Sequence, residues 1–135
     1  MSFILPDEIS DAEMLYRSVP DKPNMWKPEF NRPSSALFKD SKGVSVDRDG
    51  GRSIEEIIAN FDRKMPERGL VSITAGECRK IGTKPVAKPL EDNIYHAEIH
   101  DGDGNITVKG NRPKKLSNSV RIIKLPPHFS QSQKS

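Results

Sequence analysis

Asn31-Arg32-Pro33-Ser34-Ser35-Ala36-Leu37-Phe38-Lys39-Asp40-Ser41-Lys42-Gly43-Val44-Ser45-Val46-Asp47-Arg48-Asp49 joins a proline-rich N-terminal third to the first clear helix. It reads as two short strands. Ala36–Lys39 leads into the turn Asp40-Ser41-Lys42-Gly43, and Val44–Asp47 leads out. Asp opening and Gly closing four residues is the type I pattern. In the outgoing arm Val44 and Val46 share one face while Ser45 and Asp47 share the other, the period of a half-buried strand. Upstream, Arg32-Pro33 is extended, because proline disfavours helix for the residue before it. Arg32 with Ser34 and Ser35 has the donors to hold a phosphate or carboxylate. Serines in such a place more often satisfy nearby backbone groups.

The rest of the chain supports a sheet with helices. Met14–Val19 alternates and ends at Pro20, which predicts a strand that carries Arg17 between two apolar neighbours. Pro20 to Pro33, with four prolines and no period, predicts a long loop pinned to the body by Trp26 and Phe30. Asp49–Arg52 reads as a flexible link. Ser53 and Glu56 form a capping box, and Ile54, Ile57, Ile58, Phe61 and Met65 recur at helical spacing up to Pro66. A strand over Gly69–Thr74 follows. Thr74 and Glu77 then start a short helix that Gly82 closes. Thr83–Asn93 reads as a link. Ile94–His100 and Ile106–Lys109 flank an Asp- and Gly-rich turn and predict a hairpin. A lysine-rich link precedes a last strand over Ser119–Leu125. The expected fold is α+β: a small, largely antiparallel sheet packed against one main helix, with long proline-rich loops. Residues 1–125 form one domain in this reading and 126–135 a frayed tail. The expected core holds Phe38, Val44, Val46, Ile54, Ile57, Ile58, Phe61, Leu70, Ile73, Tyr95, Ala97, Ile99 and Val108.

Composition bounds the function. The 135 residues are 33% hydrophobic and 30% charged, with eleven prolines and one cysteine. A lone Cys78 excludes an internal disulfide framework and an all-cysteine zinc site within one chain. Its basic neighbours Arg79 and Lys80 favour a thiolate. A small buried hydrophobe is the more usual role. The N-terminus lacks a basic leader and a long apolar run, and no stretch reaches membrane length, so a cytoplasmic chain is expected. The net charge of +3 is unevenly placed. Seven Lys and Arg and no acid follow residue 108, leaving fifteen basic and nineteen acidic residues before it. Such a segment suits a protein or other anionic partner, or unspecific contact with nucleic-acid phosphates. Arg112, Lys114, Lys115 and Arg121, with Trp26 from the proline-rich loop, are the expected partner-binding residues.

Two constellations carry chemistry. His96, Glu98 and His100 share one face of a strand, and two imidazoles with a carboxylate suit zinc or ferrous iron. Residues two apart on a strand stand roughly 7 Å from each other, so the strand would have to bend. A polar sheet face is the plainer reading. Asp101, Asp103 and Asn105 begin like a calcium loop, but Ile106 and Arg112 occupy its glycine and glutamate positions, which leaves turn chemistry. No motif demands a cofactor.

Arg17 on a first strand, serines at later strand starts and Glu98 on a later strand resemble, in order, the arginine, serine and glutamate of ADP-ribosyltransferase-type domains. The resemblance implies NAD as substrate, held by Arg17 and by Ser34 or Ser45, with Glu98 stabilising the ribosyl transition state. His96 stands where that family often carries a second acid. With no complete catalytic motif, the expected function is a small binding or regulatory domain, with NAD-using and metal-binding domains as alternatives.

Overall fold

Six strands build one antiparallel sheet in a computed structural model that describes residues 5–127. They are β1 (Met14–Val19), β4 (Val44–Arg48), β5 (Gly69–Thr74), β6 (Thr83–Ala87), β7 (His96–Asp101) and β8 (Arg121–Lys124), in the order β6-β7-β4-β1-β5-β8. A two-stranded ribbon of β2 (Trp26–Lys27) and β3 (Arg32–Pro33) lies apart from it. Among the described residues, helices α1 (Ile54–Lys64), α2 (Ala75–Ile81) and α3 (Arg112–Ser119) complete the α+β fold. Among the described residues no helix is long and apolar enough to cross a membrane.

Alternation sorts the sheet into two unlike faces. Leu15, Val19, Val44, Val46, Val71, Ile73, Ala97 and Ile99 lie on the first, in the larger core. Trp26, Leu37, Phe38, Cys78 and Leu116, from the ribbon side, α2 and α3, complete it. The second face is more polar, and its apolar cluster is small: Tyr16, Ile57 and Leu70, with Met14, Phe61 and Ile123 at its margin. Helix α1 belongs to this second face. Ser53 caps it by accepting from the Glu56 N–H at 3.2 Å. Thr74 caps α2 in the same way, and Gly82 ends α2 at φ 101. Of the α1 stripe only Ile57 is fully buried, while Ile54 is 38% exposed and Ile58 and Phe61 are half-buried. The helix forms as expected, but the larger core lies across the sheet from it. Tyr95 is likewise only half-buried.

Five local expectations need correction. Ser35–Phe38 is a 3-10 turn that sends both Leu37 and Phe38 into the larger core. The Asp40–Gly43 turn itself is as expected, closed by Gly43 N–H to Asp40 O at 3.1 Å. Residues 106–109 form no return strand: β7 already has β4 and β6 on its two edges. Thr83–Ala87 is the edge strand β6 rather than a link, and an edge tolerates Pro85. The lysine-rich link is helix α3, opened by proline in its first turn and buried at Pro113, Leu116 and Ser117. The Asp49–Arg52 link is tied down: Asp49 accepts from the N–H of Met14 at 2.8 Å and of Gly51 at 2.8 Å. Beside it Arg48, 3% exposed, makes a two-armed ion pair with Glu13. Pro126 is buried against Gly69, so the chain is anchored there, and residues 128–135 of the expected tail lie outside the described residues.

Candidate functional site

A cavity of about 440 Å³ lies between α1 and the second face of the sheet. Its floor is built from alternate residues of two adjacent strands, Tyr16 and Ser18 of β1 and Ser45 and Asp47 of β4. Ile57 and Phe61 of α1, with Met65 just past its end, form the roof, and residues 91–96 close one end. Helix α1 is too narrowly apolar to lie flat on this polar floor, and small serine side chains leave the gap open.

The floor also marks the place where β1 and β4 part. Their ladder has two pairs, Leu15 with Arg48 and Tyr16 with Asp47, whereas β1 and β5 hold six. Beyond Tyr16 the side chain of Arg17 takes over, donating from Nε to Leu37 O at 2.8 Å and from a terminal nitrogen to Ser45 O at 2.7 Å. Burial pushes the Arg17 pKa down, with Asp40 acting in the opposite direction.

Tyr16 is 7% exposed and lines the cavity, and its hydroxyl meets no hydrogen-bond partner among the described residues. Burial, then the nearby Asp49, push its pKa above the ordinary 10.0, against the pull of Arg52. Asp47 accepts from Asn93 Nδ2 at 2.9 Å through one oxygen. Ser18 Oγ accepts from Arg68 at 3.4 Å, which leaves its own proton for the cavity. Arg52 is committed: it stacks 3.5 Å from the Tyr95 ring centre and donates to the carbonyls of Arg48 and Asp49. Gly50, at φ 58, is required beneath that ring, since a Cβ there would stand 2.6 Å from it.

The residues singled out from the sequence are dispersed. Ser45 lies in the cavity floor. Glu98 is its register partner on β7 and shares its face, but leans over Gly43 and bonds His100 Nε2 at 2.7 Å. Arg17 leaves β1 on the opposite face, with Leu15 and Val19. Ser34 donates to Asn24 O, the plainer reading of that serine. Arg17, Ser34 and Glu98 therefore do not meet in one cleft. Nor do the three proposed metal ligands: His96 turns its Nδ1 to Lys88 O at 2.9 Å while Glu98 and His100 pair with each other. No group of three such ligands is placed to hold a metal among the described residues.

The expected partner surface is only partly present. Trp26 is 2% exposed, a core side chain, because the proline-rich segment folds its ribbon inward. Arg112 is engaged within the protein, 3.1 Å from the buried Asp101 carboxylate. Lys114, Lys115 and Arg121 are exposed. Cys78 is fully buried and its thiol is pushed up to about 12 by burial, which removes the nucleophilic reading. The cavity floor was readable only as two alternating polar pairs, Tyr16 with Ser18 and Ser45 with Asp47. Nothing local to either strand says that they adjoin. The chain matches no family model, no curated protein and no solved structure.

Proposed function

We propose that this chain is a small binding domain whose ligand lies in the cleft between α1 and the sheet. The observation that carries this reading is the 440 Å³ cavity itself, with the polar side chains of Tyr16, Ser18, Ser45 and Asp47 in its floor beneath an apolar roof. The volume falls within the usual range for small-ligand sites, and an apolar roof over a few polar groups is their usual lining. The single buried cysteine suits a reducing, cytoplasmic setting. A mixed fragment library followed by amide-resonance shifts tests the reading. Shifts centred on Tyr16, Ser18, Ser45 and Ile57, abolished in Ser45→Leu, are expected. Shifts confined to other surfaces would overturn it.

A second reading is supported by the exposed lysine pair on α3. Lys114 and Lys115 stand side by side without an acidic partner among the described residues, and Arg121 is exposed a few residues on. They suit a protein or other anionic partner at the surface. Binding to such a partner would weaken with salt and with Lys114→Gln and Lys115→Gln together. Insensitivity to both removes this reading.

A further inference from the structure

We infer that the occupant of the cleft is a short apolar peptide held by its two charged termini, an inference that rests on the binding role proposed for that cleft. The cavity is polarised along β1. At one end, Asp47 stands beside Asn93, with Glu91 and Asp92 next in the same wall. At the other, the floor is the hydroxyls of Ser18 and Ser45, and Lys64 ends the roof helix above them. Connectivity fixes that placement: α1 ends at Lys64, and β5 begins at Gly69 with Leu70 opposite Ser18. Arg68 adds a second cation there through its bond to Ser18.

The remaining charges near the cleft do not reverse this polarity. Arg52 belongs to the acidic end but is tied to two carbonyls and a ring. Arg17, on the other face of the sheet, and Asp40 near it both stay outside the cavity lining. An ammonium therefore suits the Asp47 end and a carboxylate the Ser18, Ser45 and Lys64 end. Ser18 and Ser45 lie two residues beyond Tyr16 and Asp47 on their strands, roughly 7 Å along the sheet. Two extended residues of a peptide span about the same length. Between the ends, Ile57, Phe61 and Leu70 offer an apolar middle, and the Tyr16 hydroxyl faces the peptide amide.

The test titrates the full chain with Leu-Leu, N-acetyl-Leu-Leu and Leu-Leu amide, following amide resonances of the cleft. Leu-Leu is expected to bind, and each cap to weaken binding about tenfold or more, the worth of one charged hydrogen-bond partner. Asp47→Asn is expected to weaken Leu-Leu to a similar degree while leaving the acetylated peptide unchanged. Lys64→Gln should do the same with respect to the amide. Equal binding of the three peptides overturns the inference. So does a cleft that takes library fragments but no peptide, with the binding role of the cleft intact. A cleft that takes neither overturns both.

Discussion

Tyr16 and Asp47 face each other across β1 and β4, and theirs is the last pair before the two strands part. One residue on, the guanidinium of Arg17 bridges the gap to Leu37 O and Ser45 O. A side chain thus does what a ladder would otherwise do, while letting Ser18 and Ser45 stand apart as a floor. Arg17→Met keeps the apolar stem and leaves two carbonyls without donors. It should destabilise the fold by roughly 2–4 kcal/mol, measured as a lower urea midpoint at unchanged slope. A loss under about 0.5 kcal/mol would mean that water serves those carbonyls equally well.

Phe61 and Trp26 make a contrast between the two faces. The helical stripe Ile54, Ile57, Ile58, Phe61 reads from sequence as the core face, yet Phe61 is only half-buried, while Trp26, in a segment without period, is 2% exposed. Trp26→Ala should cost roughly 3–5 kcal/mol and Phe61→Ala only about 1–2 kcal/mol, in proportion to the area each hides. Equal costs would show α1 closed onto the sheet in solution, with no cleft beneath it.

These two residues also show what the sequence makes legible. Signals contained within a few residues are readable: the Ser53 and Thr74 caps, the Asp40–Gly43 turn, the alternation of Val44 and Val46. What depends on which strands adjoin is not. Pro85 argues against a strand until β6 proves to be an edge, and Ile106–Lys109 looks like a partner for β7 until β4 and β6 occupy both its sides. The candidate site follows the same rule. Its floor needs β1 beside β4, and its depth follows from how weakly α1 docks. Glu98 and Arg17 each have the right chemistry locally, but register puts them on opposite faces.

Alkaline pH should weaken the fold. Cys78 is raised to about 12 from 9.0, and Tyr16 is raised above 10.0, both chiefly by burial. Each acid keeps its proton longer when folded, so between its unfolded and folded pKa values the native state binds more protons than the unfolded one. Stability therefore falls as pH rises through that window. Below pH 8 neither group contributes a slope. The urea midpoint should be lower at pH 10.5 than at pH 8, and less so in Cys78→Ala. A midpoint drop as large in Cys78→Ala as in the parent would remove Cys78 as a cause. In the same terms, iodoacetamide at pH 8 should label Cys78 only on unfolding.

The basic C-terminal segment divides into a structural and a free part, and the division can be measured. Asp101 is 2% exposed, and its Oδ1 accepts from the Lys109 N–H at 3.1 Å and from Arg112 at 3.1 Å. Arg112 also lies against Gly82, so one side chain ties the start of α3 to the ends of β7 and α2. Arg112→Gln keeps a donor but removes the charge facing a buried carboxylate. With Arg112 itself 38% exposed, water offsets part of the loss, and the expected cost is about 1–2 kcal/mol. Lys114 and Lys115, on the outer side of the same helix, have no such contact, so Lys114→Gln with Lys115→Gln should stay within about 0.5 kcal/mol of the parent. On a sulfonated cation-exchange column the order reverses: the double lysine variant should elute at clearly lower salt, and Arg112→Gln close to the parent. A double lysine variant as unstable as Arg112→Gln would place those lysines in the fold and take them out of any partner surface.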